Sequence, residues 1–301
     1  MNNIQSKLGI VILNYNSHQE TQKCVDNLLS FKLHFQIIII DNNSSDQSWE
    51  ILNNKYSKIL NVHLLLSQYN NGYNAGNNIG IKYALDQLNV DVICIMNPDI
   101  LVNELTMTKM YRCLLQKNEY GLIGGVPITN MKYSPFDCAW QIPNGLGLIK
   151  HVSIFFNKKR KAPSFNYINN NLIQVDCVAG CFFMIKGSIL KKYGYFDENV
   201  FLYNEEILLG YILKNNNIKE IVLLDAIYFH NHNYKDNKKT FKQKAKGRIS
   251  LYKSTIYLCK KYYSRIYLPF IFLVSVFDII YIFIVSIKNS LFLGKESNNV
   301  N

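Results

Sequence analysis

The chain has 301 residues, of which 49% are hydrophobic, and 33 Lys or Arg against 21 Asp or Glu give a formal net charge of +12. This length allows a full hydrophobic core, with room for one large α/β domain and an appendage. The seven Cys form an odd set without paired C-x-x-C spacing, which argues against a disulfide framework and against a zinc site.

Apolar runs alternate with helical patterns through the first hundred residues. The pattern predicts strands near 8–14, 36–41, 62–67 and 91–96, and helices near 17–30, 46–57, 77–88 and 104–117. Right-handed crossovers between such strands would make the sheet mostly parallel. The polar residues 1–7 lead straight into the first strand without a basic segment or a small-residue cleavage site, so we expect a cytosolic domain.

Two acidic residues each follow an apolar strand-like run. Asp41 comes after four isoleucines, and Asp99 comes after the run from Val92 through Pro98. Ligands of a parallel α/β sheet bind beyond the carboxyl ends of its strands, so both carboxylates are predicted to lie at the ligand edge. One can hold a nucleoside and the other a divalent cation on a diphosphate, a combination that predicts a sugar-nucleotide enzyme.

A glycine-punctuated loop precedes the third predicted helix, with Gly72, Gly76 and Gly80 among several Asn residues. Backbone amides in such a loop can meet a diphosphate or a base. The glycine spacing differs from the dinucleotide-binding G-x-G-x-x-G, and the preceding strand is the third rather than the first. The sequence therefore argues against a dehydrogenase.

The middle of the chain, from Gly121 to Asn170, has short apolar pieces and four prolines, and we predict loops that cover an acceptor. Regular patterns return with apolar residues 173–185, helices near 187–193 and 204–215, and a strand near 219–224. Glu205 and Glu206 at a helix start are either capping residues or the site of a general base. His230 and His232 either complete a metal or phosphate site or are ordinary surface residues.

A basic tract precedes an apolar stretch near the C-terminus. Residues 235–265 contain eleven Lys or Arg against one acid, and residues 266–287 form the apolar stretch of 22 residues. Cationic tracts attract the phosphates of nucleic acids or of anionic lipids. Because this tract adjoins an apolar stretch and lacks a nucleic-acid-reading motif, we expect a membrane surface and no nucleic acid as its partner.

The apolar stretch is long enough to span a bilayer, but it contains Pro269 and, near its middle, Asp278. An acid at the bilayer centre costs about 3 kcal/mol, so spanning and lying in the interface both stay open. We predict three parts: a catalytic domain over 1–234, a basic helical connector over 235–265, and a membrane-associated apolar segment with a polar tail over 266–301. The basic flank would keep the large domain on the cytoplasmic side.

Taken in order from residue 8 to 232, these motifs closely resemble glycosyltransferase family 2, in particular its rhamnosyltransferase-like branch of bacterial surface-polysaccharide synthesis. The resemblance implies a GT-A fold, a Rossmann-like, mostly parallel mixed α/β sheet flanked by helices, here followed by a C-terminal apolar helical segment. It also implies a UDP- or dTDP-sugar donor, Mg²⁺ or Mn²⁺, inversion at the anomeric carbon and a lipid-linked glycan acceptor. The expected location is the cytoplasmic face of the bacterial inner membrane, peripheral or single-pass.

Site residues are assigned through the resemblance. Asp99 matches the last acid of the family's D-x-D-type metal motif, whose first place is taken here by Asn97, and His232 is a further candidate metal ligand. Glu206 matches the catalytic base, with Glu205 as its rival, since the family's Glu-Asp pair is Glu-Glu here. The residues assigned to the donor nucleotide are Asn14, Asp41, Asn43, Asn71, Gly76 and Asn77. The alternative function is a nucleotide-sugar-binding protein without turnover.

Overall fold

A computed structural model describes residues 7–129, 132–133, 138–155, 165–230 and 240–297, with side chains described up to Ile287 in the last range and not at 132–133. The chain divides into two compact units. The first unit contains residues 1–142, 162–201 and 205–232. The second contains residues 143–161, 202–204 and 233–301.

The first unit is an α/β domain, with a mixed parallel and antiparallel sheet and helices. Its strands are β1 Leu8–Asn14, β2 Gln36–Asp41, β3 Val62–Leu66, β4 Val92–Met96, β5 Ile100–Val102, β6 Tyr120–Thr129, β7 Lys132–Tyr133, β8 Ala139–Trp140, β9 Asn166–Asn169, β10 Leu172–Val175, β11 Cys177–Val178, β12 Phe182–Lys186 and β13 Lys219–His230. Its helices are α1 His18–Leu29, α2 Ser48–Tyr56, α3 Tyr73–Asp86, α4 Glu104–Leu115, α6 Gly187–Tyr193 and α7 Glu205–Asn215.

The main sheet has the strand order β3-β2-β1-β4-β12-β6-β13-β10-β9, with β5 added to β13 and β7 to β6. Strands β3, β2, β1 and β4 are parallel, and β12 then pairs antiparallel with β4. The isoleucine run of β2 is continuous because both faces of the sheet are covered. Ile37 and Ile39 pack into one core cluster, and Ile38 and Ile40 pack into the other. The predicted α/β class is confirmed.

Asparagines at the start of α3 hold a loop that is distant in sequence. Asn78 donates to the carbonyl of Phe196 at 2.8 Å and accepts from its amide at 3.0 Å. Asn74 donates to the carbonyl of Asp197 at 2.8 Å. Helix α3 begins at Tyr73, four residues before the predicted start near 77. The helix is extended there because these buried amides satisfy the backbone of the neighbouring loop.

Strand β6 lies at the centre of the sheet, within the region that the sequence analysis predicted to be loops. The prediction was wrong there because Gly and Pro are rare in strand interiors. Close packing explains one of these glycines, since a Cβ at Gly124 would lie 2.4 Å from the side chain of Val178. Tertiary contacts therefore override a weak local preference for strand.

The second unit is helical in its described part. It contains α5 Gly145–Val152, α8 Phe241–Tyr262, a short 3₁₀ turn Arg265–Tyr267 and α9 Leu268–Ser297. Thr240 begins α8 with a reciprocal capping box, since its hydroxyl accepts from the amide of Gln243 and its own amide donates to that side chain. Residues 265–287 are long and apolar enough to cross a membrane, which by itself is weak evidence of a span.

Gly72 is required by the close approach of two backbones. Its φ is +95°, and a Cβ there would lie 2.2 Å from the carbonyl oxygen of Phe201. Gly194 has a similar φ of +99° but no atom within 4 Å of the corresponding position. The two glycines therefore share the same conformational restriction and differ in their steric surroundings.

We expect Gly72→Ala to lower the free energy of unfolding distinctly more than Gly194→Ala. The control variant only forces an L side chain into a backbone conformation that favours glycine, which costs about 1–3 kcal/mol. Gly72→Ala adds a clash that side-chain movement cannot relieve. Urea unfolding of both variants measures the difference, and equal losses would show that the contact with Phe201 is unimportant.

Candidate active site

The carboxyl ends of the parallel strands bring the predicted acids to one edge of the sheet. In the register of β1 and β2, Asn14 lies opposite Asp41. Strand β4 pairs with the other side of β1 and ends at Met96, and Asp99 follows three residues later. Strand β12 runs the opposite way, so its amino end lies at this same edge, where the Cys181 carbonyl accepts from the amide of Asn97 at 2.8 Å.

Asp41 is buried and is held by its neighbours. Its Oδ2 accepts from Asn14 Nδ2 at 2.7 Å and from the Ser44 hydroxyl at 2.8 Å, and its Oδ1 accepts from the Ser44 amide at 2.8 Å. Asn14 also donates to Ser44 and accepts from the hydroxyls of Ser17 and Thr21. Asn14 therefore orients Asp41, and a direct contact of either residue with a nucleotide stays a prediction.

The other predicted nucleotide residues lie in different surroundings. Asn43 is exposed with a left-handed φ of 59°, and Asn71 is exposed as well. Gly76 is buried, and a Cβ there would lie 2.5 Å from the Leu13 side chain. Asn77 is buried and donates to the carbonyl of Tyr73 at 3.0 Å. The two exposed residues are accessible to a ligand, whereas Gly76 and Asn77 pack within the protein, and all four assignments stay predictions.

Asp99 lies beside His230, because β5 directly after Asp99 pairs with the end of β13. The His230 Nε2 is 3.3 Å from Asp99 Oδ2. Burial alone lowers the pKa of His230, but its hydrogen bonds with Asp99 and Cys181 outweigh this effect and raise the pKa to about 10. His232, the predicted second ligand, lies outside the described residues.

Asp99 is the predicted protein ligand of a divalent cation that is shared with a diphosphate. Among the described residues no group of three His, Cys, Asp or Glu can hold a metal ion. A cation on a diphosphate needs only one or two protein ligands, because phosphate oxygens and water fill its other positions. Asp99 provides one carboxylate for this purpose, and the His230 imidazole can join it only after losing the proton that its raised pKa implies near neutral pH.

Glu206 is fixed at the same edge by the segment that leads into β12. The amide of Gly180 donates to Glu206 Oε1 at 3.1 Å, and the Tyr73 hydroxyl donates to the Gly180 carbonyl at 2.7 Å. A Cβ at Gly180 would lie 3.0 Å from Glu206 Oε1, so glycine lets the carboxylate approach the amide. Burial raises the pKa of Glu206 above its ordinary 4.5, against the opposing effect of the amide. Glu205 and Glu206 line one small cavity together.

Glu220 on β13 is a buried acid that sequence analysis missed. Its Oε2 accepts from the Val178 amide at 3.0 Å, its Oε1 has no hydrogen-bond partner among the described residues, and its side chain lines a narrow cavity together with Glu206. Burial raises its pKa well above 4.5, and the nearby Asp176 and Glu206 add to this shift. The signal in the sequence that could have identified Glu220 as a buried acid is its place directly before the apolar residues Ile221 and Val222.

The order of strands and the acids at their carboxyl ends define a GT-A fold, the α/β class of nucleotide-sugar enzymes. The profile of the family described as Glycosyl transferase family 2 matches residues 9–194. The match covers more than half of the chain, so this protein belongs to glycosyl transferase family 2.

A curated relative and two solved structures resemble the chain. The relative is the low-salt glycan biosynthesis hexosyltransferase Agl10 of Haloferax volcanii, 28% identical over 230 residues that cover 73% of this chain and 66% of the relative. The mannosyltransferase PcManGT from Pyrobaculum calidifontis in complex with GDP-Man and Mn²⁺ aligns with a TM-score of 0.54 and 11% identity over 83% of this chain and 64% of its own.

GalNAc-T7 with UDP, GalNAc and Mn²⁺ aligns with a TM-score of 0.60 and 12% identity over 74% of this chain and 43% of its own. At these identities the two structural alignments show the fold alone. The chain spans just under two thirds of the length of the curated relative and smaller shares of the two solved chains.

We expect Glu220→Gln to raise stability relative to the parent more at pH 8 than at pH 5. Glu220 has a raised pKa in the folded state and a pKa near 4.5 when unfolded, so its contribution to stability is complete below 4.5 and is lost as the pH rises toward the folded value. The slope from one such group is at most about 1.4 kcal/mol per pH unit. Gln keeps the acceptor for the Val178 amide and does not ionise.

Urea unfolding of parent and variant at several pH values measures this difference. An exposed acid, Glu50→Gln, is the matched control and should leave the pH dependence unchanged. Parallel stability curves for parent and Glu220→Gln would show that Glu220 is ionised in the folded protein.

Proposed function

We propose that this protein is an inverting glycosyltransferase that moves a sugar from a nucleoside-diphosphate sugar to a hydroxyl group of a glycan acceptor. The observation that supports it most is the set of acids at one sheet edge: Asp41 at the end of β2, Asp99 after β4, and Glu206, which is hydrogen-bonded to the segment before β12. Family membership supports the same activity. This edge is where open α/β sheets bind ligands.

Glu206 is the proposed general base. It accepts the proton of the acceptor hydroxyl as the oxygen attacks the anomeric carbon, and the bond to the diphosphate breaks on the opposite face. A single displacement of this kind inverts the configuration. The raised pKa of Glu206 makes its carboxylate a stronger base, as general-base catalysis near neutral pH requires. The Gly180 amide fixes the direction of the carboxylate.

Asp99 would hold Mg²⁺ or Mn²⁺, and the His230 imidazole could join it once its proton is displaced. Such a cation, when bound, neutralises the charge that develops on the leaving diphosphate. Mn²⁺ accompanies the nucleotide ligands of both structural neighbours, which supports a divalent cation and leaves the choice of metal to experiment. Asp41, oriented by Asn14, is the proposed contact to the base or ribose, and the exposed Asn43 and Asn71 are further proposed contacts.

The donor is proposed to be a UDP- or dTDP-sugar and the acceptor a lipid-linked glycan of a bacterial surface polysaccharide, on the cytoplasmic face of the inner membrane. The neighbours bind GDP-Man and UDP, respectively, so a screen should include GDP-sugars as well. Transfer or hydrolysis of a donor by the purified chain with Mn²⁺ tests the function. Donor binding without either reaction would support the alternative, a binding protein without turnover.

We expect Glu206→Gln to lower the rate of transfer by about 10² to 10⁴, the usual effect of losing a general base. Gln can still accept from the Gly180 amide, so donor affinity measured by calorimetry should be unchanged. Glu205→Gln is the matched control on the adjacent residue and should have a smaller effect. A larger loss in the Glu205 variant would reverse the assignment of the base.

We expect Asp99→Asn to remove metal-dependent turnover, because the cation loses its carboxylate ligand beside the diphosphate. Turnover is measured over a titration with Mn²⁺. Asp225→Asn, which removes an exposed carboxylate paired with Lys109, controls for the change in charge. Parent-level turnover of Asp99→Asn at saturating Mn²⁺ would refute the role of Asp99.

A further inference from the structure

Helices α8 and α9 of the second unit form an antiparallel hairpin. The rings of Phe241, at the start of α8, and Phe283, in the second half of α9, lie 5.5 Å apart. Nearer the turn, Arg248 of α8 pairs with Asp278 of α9 at 2.5 Å. The two helices are therefore side by side over most of the apolar length of α9.

Asp278 is the acid whose cost in a bilayer counted against a span, and it is fully buried in protein. Its Oδ2 accepts from the Arg248 guanidinium, from the Tyr252 hydroxyl and from the Ile154 amide at 3.1 Å. A buried ion pair is costly to break, because one partner is left buried without its counter-charge. The Arg248–Asp278 pair thus ties α9 to α8 near the middle of its apolar stretch, because a break would leave the fully buried Asp278 without its counter-charge.

Helix α8 is unsuited to the interior of a bilayer. It contains seven Lys or Arg and no acid: Lys242, Lys244, Lys246, Arg248, Lys253, Lys260 and Lys261. A cation at the centre of a membrane helix costs about 3 kcal/mol. If α9 crossed the bilayer, α8 would have to enter with it, or the pair would have to break.

The outer surface of α9 is apolar and exposed. Its exposed large side chains are Phe270, Phe272, Leu273, Val276, Phe277, Ile280, Tyr281, Phe283, Ile284 and Ile287. A continuous exposed patch of this kind marks an interaction surface. Cations on the adjacent helix, with no acid among them, match an anionic surface in charge, and apolar burial plus cationic attraction is how interfacial helices bind lipid.

We propose that the α8–α9 hairpin lies on an anionic membrane surface, with α9 in the plane of the interface and not across the bilayer. The proposal is independent of the catalytic assignment. It decides between the two membrane arrangements that the sequence leaves open, and Asp278 then has a structural role as the internal anchor of the surface helix.

The depth of α9 in the membrane tests the arrangement. Phe270, Phe277 and Ile284 are 52%, 60% and 57% exposed and are spaced by seven residues, which keeps them on nearly the same face of a helix. Each is replaced by Trp in turn, and the full-length variant is bound to vesicles of equal parts phosphatidylcholine and phosphatidylglycerol. The lipid acyl chains carry bromine, which quenches Trp fluorescence, at defined depths. The parent, with Trp49 and Trp140 only, gives the baseline.

An interfacial helix should give shallow quenching of similar depth at all three positions. Deep quenching at position 277 with shallow quenching at 270 and 284 would indicate a span and overturn the proposal. Parent-like thermal unfolding of each variant confirms that the added indole leaves the fold intact.

The charge requirement is tested with two triple variants. Lys242, Lys246 and Lys253 on α8 are exposed, as are Lys23, Lys32 and Lys58 in the first unit. Replacing the first three by Gln should weaken binding to the same vesicles roughly a hundredfold at low salt, whereas the second set, with the same change in charge, should have a much smaller effect. Equal losses would refute a specific role for α8.

A second copy of the chain is the competing occupant of the apolar surface. Sedimentation of the full chain without lipid, together with iodide quenching of the Phe277→Trp variant, distinguishes the two. A stable dimer in which the introduced indole is shielded from iodide, with no binding to anionic vesicles, would overturn the proposal. A lipid-free chain in which iodide reaches the introduced indole supports it.

Discussion

The common edge formed by the carboxyl ends of β2, β1 and β4 is the constraint on which the candidate site depends. The register of two parallel strands determines which of their residues lie side by side, so Asn14 and Asp41 are opposite each other once β1 and β2 pair. The hydrogen bond between them then fixes the carboxylate without a ligand. The position of Asp41, the proposed nucleotide contact, is therefore organised by the core of the sheet, whose isoleucines are buried on both faces.

The antiparallel strand β12 adds the segment that holds Glu206, the proposed base. Val178, Ala179 and Gly180 each use the backbone amide differently: the first donates to Glu220, the second to the Cys138 carbonyl and the third to Glu206. Two buried carboxyl groups are thus held by one short segment. Since both have raised pKa values, their protonation is linked to the folding of this segment.

Asp278 shows how an acid in an apolar stretch can be accommodated without entering lipid. Its partners come from α8 and from the residues after α5, and all of them lie in the second unit. The hydrophobic surface that remains exposed on α9 is then a consequence of anchoring only one side of the helix. Composition alone suggests a membrane segment, and the buried pair restricts how such a segment can meet the membrane.

The sequence by itself determined the α/β class, the first four strands and the placement of Asp41 and Asp99 after strands, because apolar periodicity and strand ends are local properties. Only the tertiary structure decided that β6 is a central strand, that Asn74 and Asn78 hold a distant loop, and that His230 adjoins Asp99. Only the tertiary structure also revealed Glu220 beside Glu206 and the partners of Asp278. Each of these depends on contacts between residues far apart in the chain, whose energies exceed the local preferences that a sequence pattern reports.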